Sequence, residues 1–307
     1  MPHLIYFHTD SIHVKFLKSY LFKHAATLTK VKAKTTFTKL EEFCKKQRCG
    51  PVEPTTITFR QINNYVSNLK QQGLGELSIR NETSIIRRAL EGVGRKDFAQ
   101  ITCSNAALEA FVSDRKGKGK VVDPQVLQNA VDNALPNTKA MIAMSRYLGL
   151  RIREVVRADE SLNEWQKALS QGHAVIVRHG TKGGKVRYVV VAPGNLKKAL
   201  EAVELGQKVL KFQKYLVVSK NLKSAVEQHS DRLSKLGIKG ANSCHSLRRA
   251  FAMDQYMHYL AEGCSKKTAL SRTSNDLGHG DGRGHWVMSK YIGASLKEQD
   301  LHKAKDT

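Results

Sequence analysis

Four short runs carry residue types able to act on a phosphodiester. Gly149-Leu150-Arg151-Ile152-Arg153-Glu154 places an arginine just after a helix-ending glycine, with a carboxylate three residues on. Thr181-Lys182-Gly183-Gly184-Lys185 sets lysines on a tight, permissive turn. His245-Ser246-Leu247-Arg248-Arg249 holds His245 and Arg248 at i and i+3, one face of a helix. Leu277-Gly278-His279 is followed by Tyr291, twelve residues after the histidine. Planar guanidinium groups grip phosphate oxygens in bidentate fashion and stabilise charge building on a five-coordinate phosphorus. A lysine on a hairpin can give a proton to a departing alkoxide. A tyrosine hydroxyl can serve as nucleophile and split one hard substitution into two easier ones. This chemistry requires neither a metal nor any other cofactor.

The elements that must carry these groups are readable from periodicity. Lys139–Leu148 is an amphipathic helix ending at Gly149, and Asp123-Pro124 reads as an N-cap with proline at the first helical position. Ala174–Val177 and Tyr188–Val191 are β-rich runs flanking the glycine turn, a hairpin with Lys182 near its tip. Asn195 is expected to open a further helix, Tyr215–Val218 to form a third strand, and the chain to be helical from Ser224 on. Nearer the N-terminus the signals are purely helical. Phe37, Leu40, Phe43 and Cys44 share a stripe, and so do Ile62, Tyr65, Val66 and Leu69. Ser78 is placed to cap a helix that carries Ile79, Ile85, Ile86, Ala89 and Leu90 together with Arg80, Arg87 and Arg88. The run Ser113–Lys120 (SDRKGKGK) has two glycines and no apolar side chain, and reads as a linker.

Composition narrows the partners. The 307 residues include 51 Lys and Arg against 27 Asp and Glu, a formal charge of +24. Residues 1–120 carry 21 basic and 10 acidic side chains, and residues 121–307 carry 30 and 17. Excess charge on both parts disfavours a generic metabolic enzyme and points to one polyanion facing the whole chain. Five cysteines at irregular spacing are expected to be reduced thiols, since Cys44 and Cys49 lack the second pair a zinc site needs. Neither a transmembrane helix nor a signal peptide is expected, so the protein is read as cytoplasmic, without a membrane partner.

In this order, Arg-x-x-Glu, hairpin Lys, His-x-x-Arg, Leu-Gly-His and Tyr, the set resembles the tyrosine recombinase, or phage integrase, family over roughly residues 122–295. The resemblance implies an α+β chain: an all-helical N-terminal core-binding (SAM-like) domain over 1–113, a linker over 114–120, and a mainly helical catalytic domain with a small antiparallel sheet over 121–307. It implies that Arg151 and Arg248 clamp the scissile phosphate, that Glu154 orients the site and that Lys182 is the general acid for the 5′-hydroxyl. His245 would be the acid/base histidine, His279 the later phosphate-binding histidine and Tyr291 the nucleophile forming a 3′-phosphotyrosine link. Candidate DNA contacts are Arg80, Arg87, Arg88, Lys116, Lys118, Lys120, Lys185 and Arg187.

Lys185 competes with Lys182, and Arg249 with Arg248. The glycine-rich segment Gly280–Trp286 lengthens the usual histidine-to-tyrosine spacing, so His285 competes with His279. Glu154 has a competing reading as a surface acid paired with Arg157, and Arg151 as a cation at a helix end. The implied partners are double-stranded DNA target sites, a homotetramer on paired sites and accessory DNA-bending proteins, with a nucleoid location. Two other classes compete: a metal-dependent nuclease using His279, Asp281 and His285, and a DNA-binding regulator without catalysis. A type IB topoisomerase shares the chemistry.

Overall fold

The structure, a computed structural model, describes residues 27–110 and 119–296. Most of the linker run, with Lys116 and Lys118, lies outside the described residues. The chain divides into two compact units, Met1–Arg115 and Lys116–Thr307.

The first unit is helical. Helices α1 (Thr27–Lys46), α2 (Phe59–Gln71) and α3 (Glu76–Gly92) lead to a π-helical turn at Phe98–Thr102. Phe37, Leu40 and Cys44 of α1 meet Ile62, Tyr65, Val66 and Leu69 of α2 and Ile86, Ala89 and Leu90 of α3 in one apolar core. Thr58 and Gln61 cap α2 reciprocally, each side chain taking the other's backbone N–H, which satisfies two otherwise orphaned donors. Helix α3 begins earlier than expected. Gly75 is its N-cap, and the Ser78 amide already bonds to the Gly75 carbonyl at 2.8 Å, so Ser78 lies in the first turn and not before it.

The second unit is mixed. Asp123 caps α4 (Pro124–Asp132) through the amides of Gln125 and Val126, and α5 is Pro136–Tyr147. Next come α6 (Ile152–Val155), α7 (Leu162–Ser170), and an antiparallel hairpin of β1 (Val175–Val177) and β2 (Arg187–Val189) with Ile176 opposite Tyr188. Helices α8 (Pro193–Leu210), α9 (Leu222–Lys235), α10 (Cys244–Ala261), α11 (Lys266–Asp276) and α12 (Gly284–Val287) follow, and a π-helical turn, Met288–Ile292, carries the tyrosine. Trp165 of α7 is buried and donates its indole N–H to the Ile176 carbonyl at 2.7 Å, which fixes the hairpin to the helical layer.

Two expectations are corrected. Helix α8 starts at Pro193, whose fixed φ suits a first helical position, so Asn195 is its third residue. Residues 215–218 form no strand. Leu216 and Val217 are buried, but the Leu216 carbonyl is taken by the Asn137 side chain at 3.0 Å and has no strand partner. None of the five cysteines forms a disulfide. No helix among the described residues is long and apolar enough to cross a membrane.

Candidate active site

The site is organised around a buried carboxylate. Arg151 is the N-cap of α6, and Glu154 folds back to accept its backbone N–H at 2.8 Å and its guanidinium at 2.7 Å. The oxygen of Glu154 that takes the Arg151 amide also accepts a bond from Arg187 of β2 at 2.8 Å. Burial alone would raise the Glu154 pKa. The charge and hydrogen bond of Arg187 outweigh it, aided by Arg248 and Arg151, and hold the group at about 2. Glu154 is therefore not a surface acid, and Arg157 pairs with Glu160 at 2.5 Å instead.

Arg248, on α10, is fully buried. Its guanidinium donates to the carbonyls of Gly149 and Leu277. Arg151 reaches the same Leu277 carbonyl at 3.1 Å. Gly149 makes this closeness possible: its φ is +59°, and a Cβ there would lie 2.4 Å from the Phe251 ring. Burial, then the neighbouring Arg187 charge, lowers Arg248 to about 10, which leaves it protonated at neutral pH. Arg249 instead donates to the Lys290 carbonyl at 3.2 Å, so it braces the turn before the tyrosine.

Tyr291 is 2% exposed. Its hydroxyl lies 3.5 Å from Arg248 Nε and 3.2 Å from His279 Nε2. The His245 and Tyr291 rings are 5.0 Å apart, and Trp286 packs edge-on against His279 at 4.5 Å. Burial, then the charges of Arg248, Arg151, Arg283 and Arg187, push His279 down to about 3. Desolvation, then the charges of Arg249, Arg248 and Arg151, pushes His245 down to about 4, although the residue as a whole is exposed. Both imidazoles are thus neutral in the free protein, and an arriving phosphate would raise them. Cys244, beside His245, is no competing nucleophile, because burial raises its thiol to about 11.

The fold thus brings Arg151, Glu154, His245, Arg248, His279 and Tyr291 together from four separated segments. His279, and not His285, stands beside the tyrosine; His285 is exposed on α12. Lys182 and Lys185 are exposed at the hairpin tip, outside the buried cluster, with Gly183 and Gly184 both at φ +70°. In the first unit Arg80 and Arg88 are exposed and Arg87 is half-buried, while Lys120 is exposed at the start of the second.

Arg187 does not fit the expected role of a DNA contact. Its side chain is 4% exposed, and its donors are engaged by Glu154, the Asp276 carbonyl at 2.6 Å and the Gly149 carbonyl at 3.2 Å. A guanidinium committed inward in this way has little left to offer a solvent-side phosphate.

Sequence reasoning missed the support behind the site. Asp276 accepts from Tyr259 at 2.8 Å and Gln255 at 3.0 Å, and Gln255 also bonds the backbone of Val190 and Ala192 just after β2. One signal was present. Gln255 lies on the stripe Phe251, Gln255, Tyr259, and an amide on an otherwise buried helix face must find partners.

Residues 107–254 match the family model described as integrase. None of the curated proteins compared matches the chain in sequence. Among solved structures, the Tn1549 transposon integrase in complex with transposon right end DNA superposes with a TM-score of 0.60 at 13% identity, over 96% of this chain and 99% of that one. The same integrase in complex with a circular intermediate DNA gives 0.60 at 14% identity over the same shares. At such identity the likeness is one of fold. The sequence model supplies the family for part of the chain: residues 107–254 match integrase.

Proposed function

We propose that the chain is a tyrosine recombinase and cleaves one DNA strand by attack of Tyr291 Oη on a scissile phosphorus. The Oη–P bond forms as the P–O5′ bond breaks, which leaves a 3′-phosphotyrosine ester and a free 5′-hydroxyl. The observation that carries this reading is the buried Tyr291, its hydroxyl 3.5 Å from Arg248 and 3.2 Å from His279 and its ring 5.0 Å from that of His245, with Arg151 and Arg248 sharing the Leu277 carbonyl. Arg151 and Arg248 neutralise the charge that grows on the phosphoryl oxygens. Glu154 holds Arg151 in place. His245 and His279, neutral beforehand, take the tyrosine proton or bond the phosphate. Lys182 comes to the site on the hairpin and protonates the 5′-oxygen. Rejoining is the reverse attack by a 5′-hydroxyl, and because the ester conserves the bond energy, neither ATP nor a metal ion enters the scheme.

The first unit grips the duplex through Arg80, Arg87 and Arg88, and Lys120 and Lys185 add phosphate contacts. Steep salt dependence of affinity follows if several phosphates are neutralised. Four protomers on two paired target sites, assisted by DNA-bending proteins at the nucleoid, complete the proposal.

The test is a nicked suicide duplex in excess EDTA. A covalent adduct mapped to Tyr291 is the expected result. An adduct elsewhere, or strict magnesium dependence, would overturn the proposal, and binding without an adduct would favour a regulator. Relaxation of supercoiled plasmid without need for paired sites would favour a topoisomerase.

A further inference from the structure

Arg187 lies buried behind the two arginines assigned above to the phosphate, and its own donors are turned to protein acceptors. Arg187 stands opposite Val177 in the hairpin, with its side chain turned inward. One guanidinium bonds three things at once: the Glu154 carboxylate, the Gly149 carbonyl and the Asp276 carbonyl. Each leads to a phosphate-binding group. Glu154 holds Arg151 through two bonds. The Gly149 carbonyl is shared between Arg187 and Arg248. Asp276 immediately precedes Leu277, whose carbonyl takes both Arg151 and Arg248, and His279 follows two residues later. Asp276 itself is pinned by Gln255 and Tyr259 of α10, so the segment Arg187 grips is held from both sides.

The glycine of Leu-Gly-His belongs to the same construction. Gly278 has φ +65°, and a Cβ there would lie 2.5 Å from Arg187 Cδ. The backbone thus passes directly over the arginine stem. A lysine, a single point charge on a flexible chain, cannot make a planar fork that faces three acceptors.

We propose that Arg187 is a positioning residue for cleavage: it sets the separation of Arg151, Arg248 and His279 and so links the loop end of the hairpin ladder, where the lysine turn begins, to the phosphate clamp. This rests on the cleavage reading above. A misplacement of the order of 1 Å costs roughly 10²-fold in a chemical step.

The experiment compares wild type and Arg187→Lys on two suicide duplexes, one with the normal scissile phosphodiester and one with a neutral methylphosphonate there. Single-turnover adduct formation on the phosphodiester is expected to fall about 10²-fold, with DNA binding unchanged. The methylphosphonate carries no charge for the clamp to neutralise, so the wild-type to variant ratio should shrink at least about tenfold, as one factor of ten in lost charge stabilisation. An equal ratio on both substrates means general damage to the fold and overturns the proposal. In a double-mutant cycle, Arg187→Lys should add little to Arg151→Ala, because both act on the same clamp; full additivity overturns the proposal as well. If Arg187→Lys does not fold, Arg187→Gln with Glu154→Gln removes the buried charges as a pair and is read in the same assays. If wild type forms no adduct on the phosphodiester, it is the cleavage reading that fails, a result distinct from either of these.

Discussion

Two parts of the second unit solve opposite problems. In the buried knot, Arg151, Arg187 and Arg248 converge on one carboxylate and three backbone carbonyls, and little of their geometry is left open. At the hairpin tip, Lys182 stands exposed on a turn of two glycines in the left-handed region. Charge stabilisation gains from groups fixed before the reaction, since no reorganisation is then needed at the moment of bond making. A proton donor has a different task. It must meet a leaving oxygen whose position is defined only once DNA is bound. Rigidity suits the first role and an exposed, permissive loop the second. The hairpin carries both, because Arg187, in the strand pair next to the loop, is anchored while Lys182 at the tip is presented.

Tyr291→Phe should give the largest effect: no adduct on suicide DNA, with unchanged mobility-shift binding, because only the nucleophilic oxygen is lost. Arg151→Ala or Arg248→Ala should slow single-turnover cleavage by about 10²–10³, and a better leaving group should not restore it, because the missing element is charge on the non-bridging oxygens. Lys182→Ala should cost about 10² and recover on DNA with a 5′-bridging sulfur, whose departure needs no proton. Recovery by Lys185→Ala in place of Lys182→Ala would reassign the acid and break the contrast at its hairpin end.

The glycines give a finer test of the same contrast. Gly278→Ala and Gly183→Ala both place a side chain at positive φ, a strain of about 1–3 kcal/mol. Only Gly278 also drives a Cβ into the Arg187 stem, whereas nothing lies within 4 Å at Gly183. Urea unfolding should therefore find Gly278→Ala the more destabilised by a further ~1–3 kcal/mol. Equal losses would mean the knot is less rigid than its packing implies.

A last test is in acid. With His279 held near 3 in the folded chain against 6.5 ordinarily, its neutral form adds stability that is complete above about 6.5 and lost as pH falls toward 3. Glu154, held near 2, adds stability that is present above about 4.5 and lost on the way down to 2. An imidazole NMR titration should show His279 neutral at pH 5 in the free protein and shifted upward when DNA is bound. A normal midpoint in the free protein would contradict the cationic field of the clamp.

Much of the fold was legible. The stripes of Phe37, Leu40 and Cys44, and of Ile62 through Leu69, are local periodicities, and they proved to be the core of the first unit. The hairpin and the Asp123 cap were likewise set by neighbours in the chain. Ser78 and Tyr215–Val218 misled because each carried local propensity that an adjacent group overrode: Gly75 began the helix, and Asn137, from far along the chain, took the carbonyl a strand would have used.

By itself the sequence determined the inventory and order of reactive groups, the strong positive charge, and which segments would be helices or hairpin, because these depend on residue type and on contacts a few positions apart. Which histidine lies beside Tyr291, why Arg187 turns inward, and how Asp276, Gln255 and Tyr259 brace the clamp were decided only by tertiary structure. Those arrangements link residues 12 to 126 positions apart, and a buried guanidinium's partners include backbone carbonyls, which every residue has and which therefore leave no mark in the sequence.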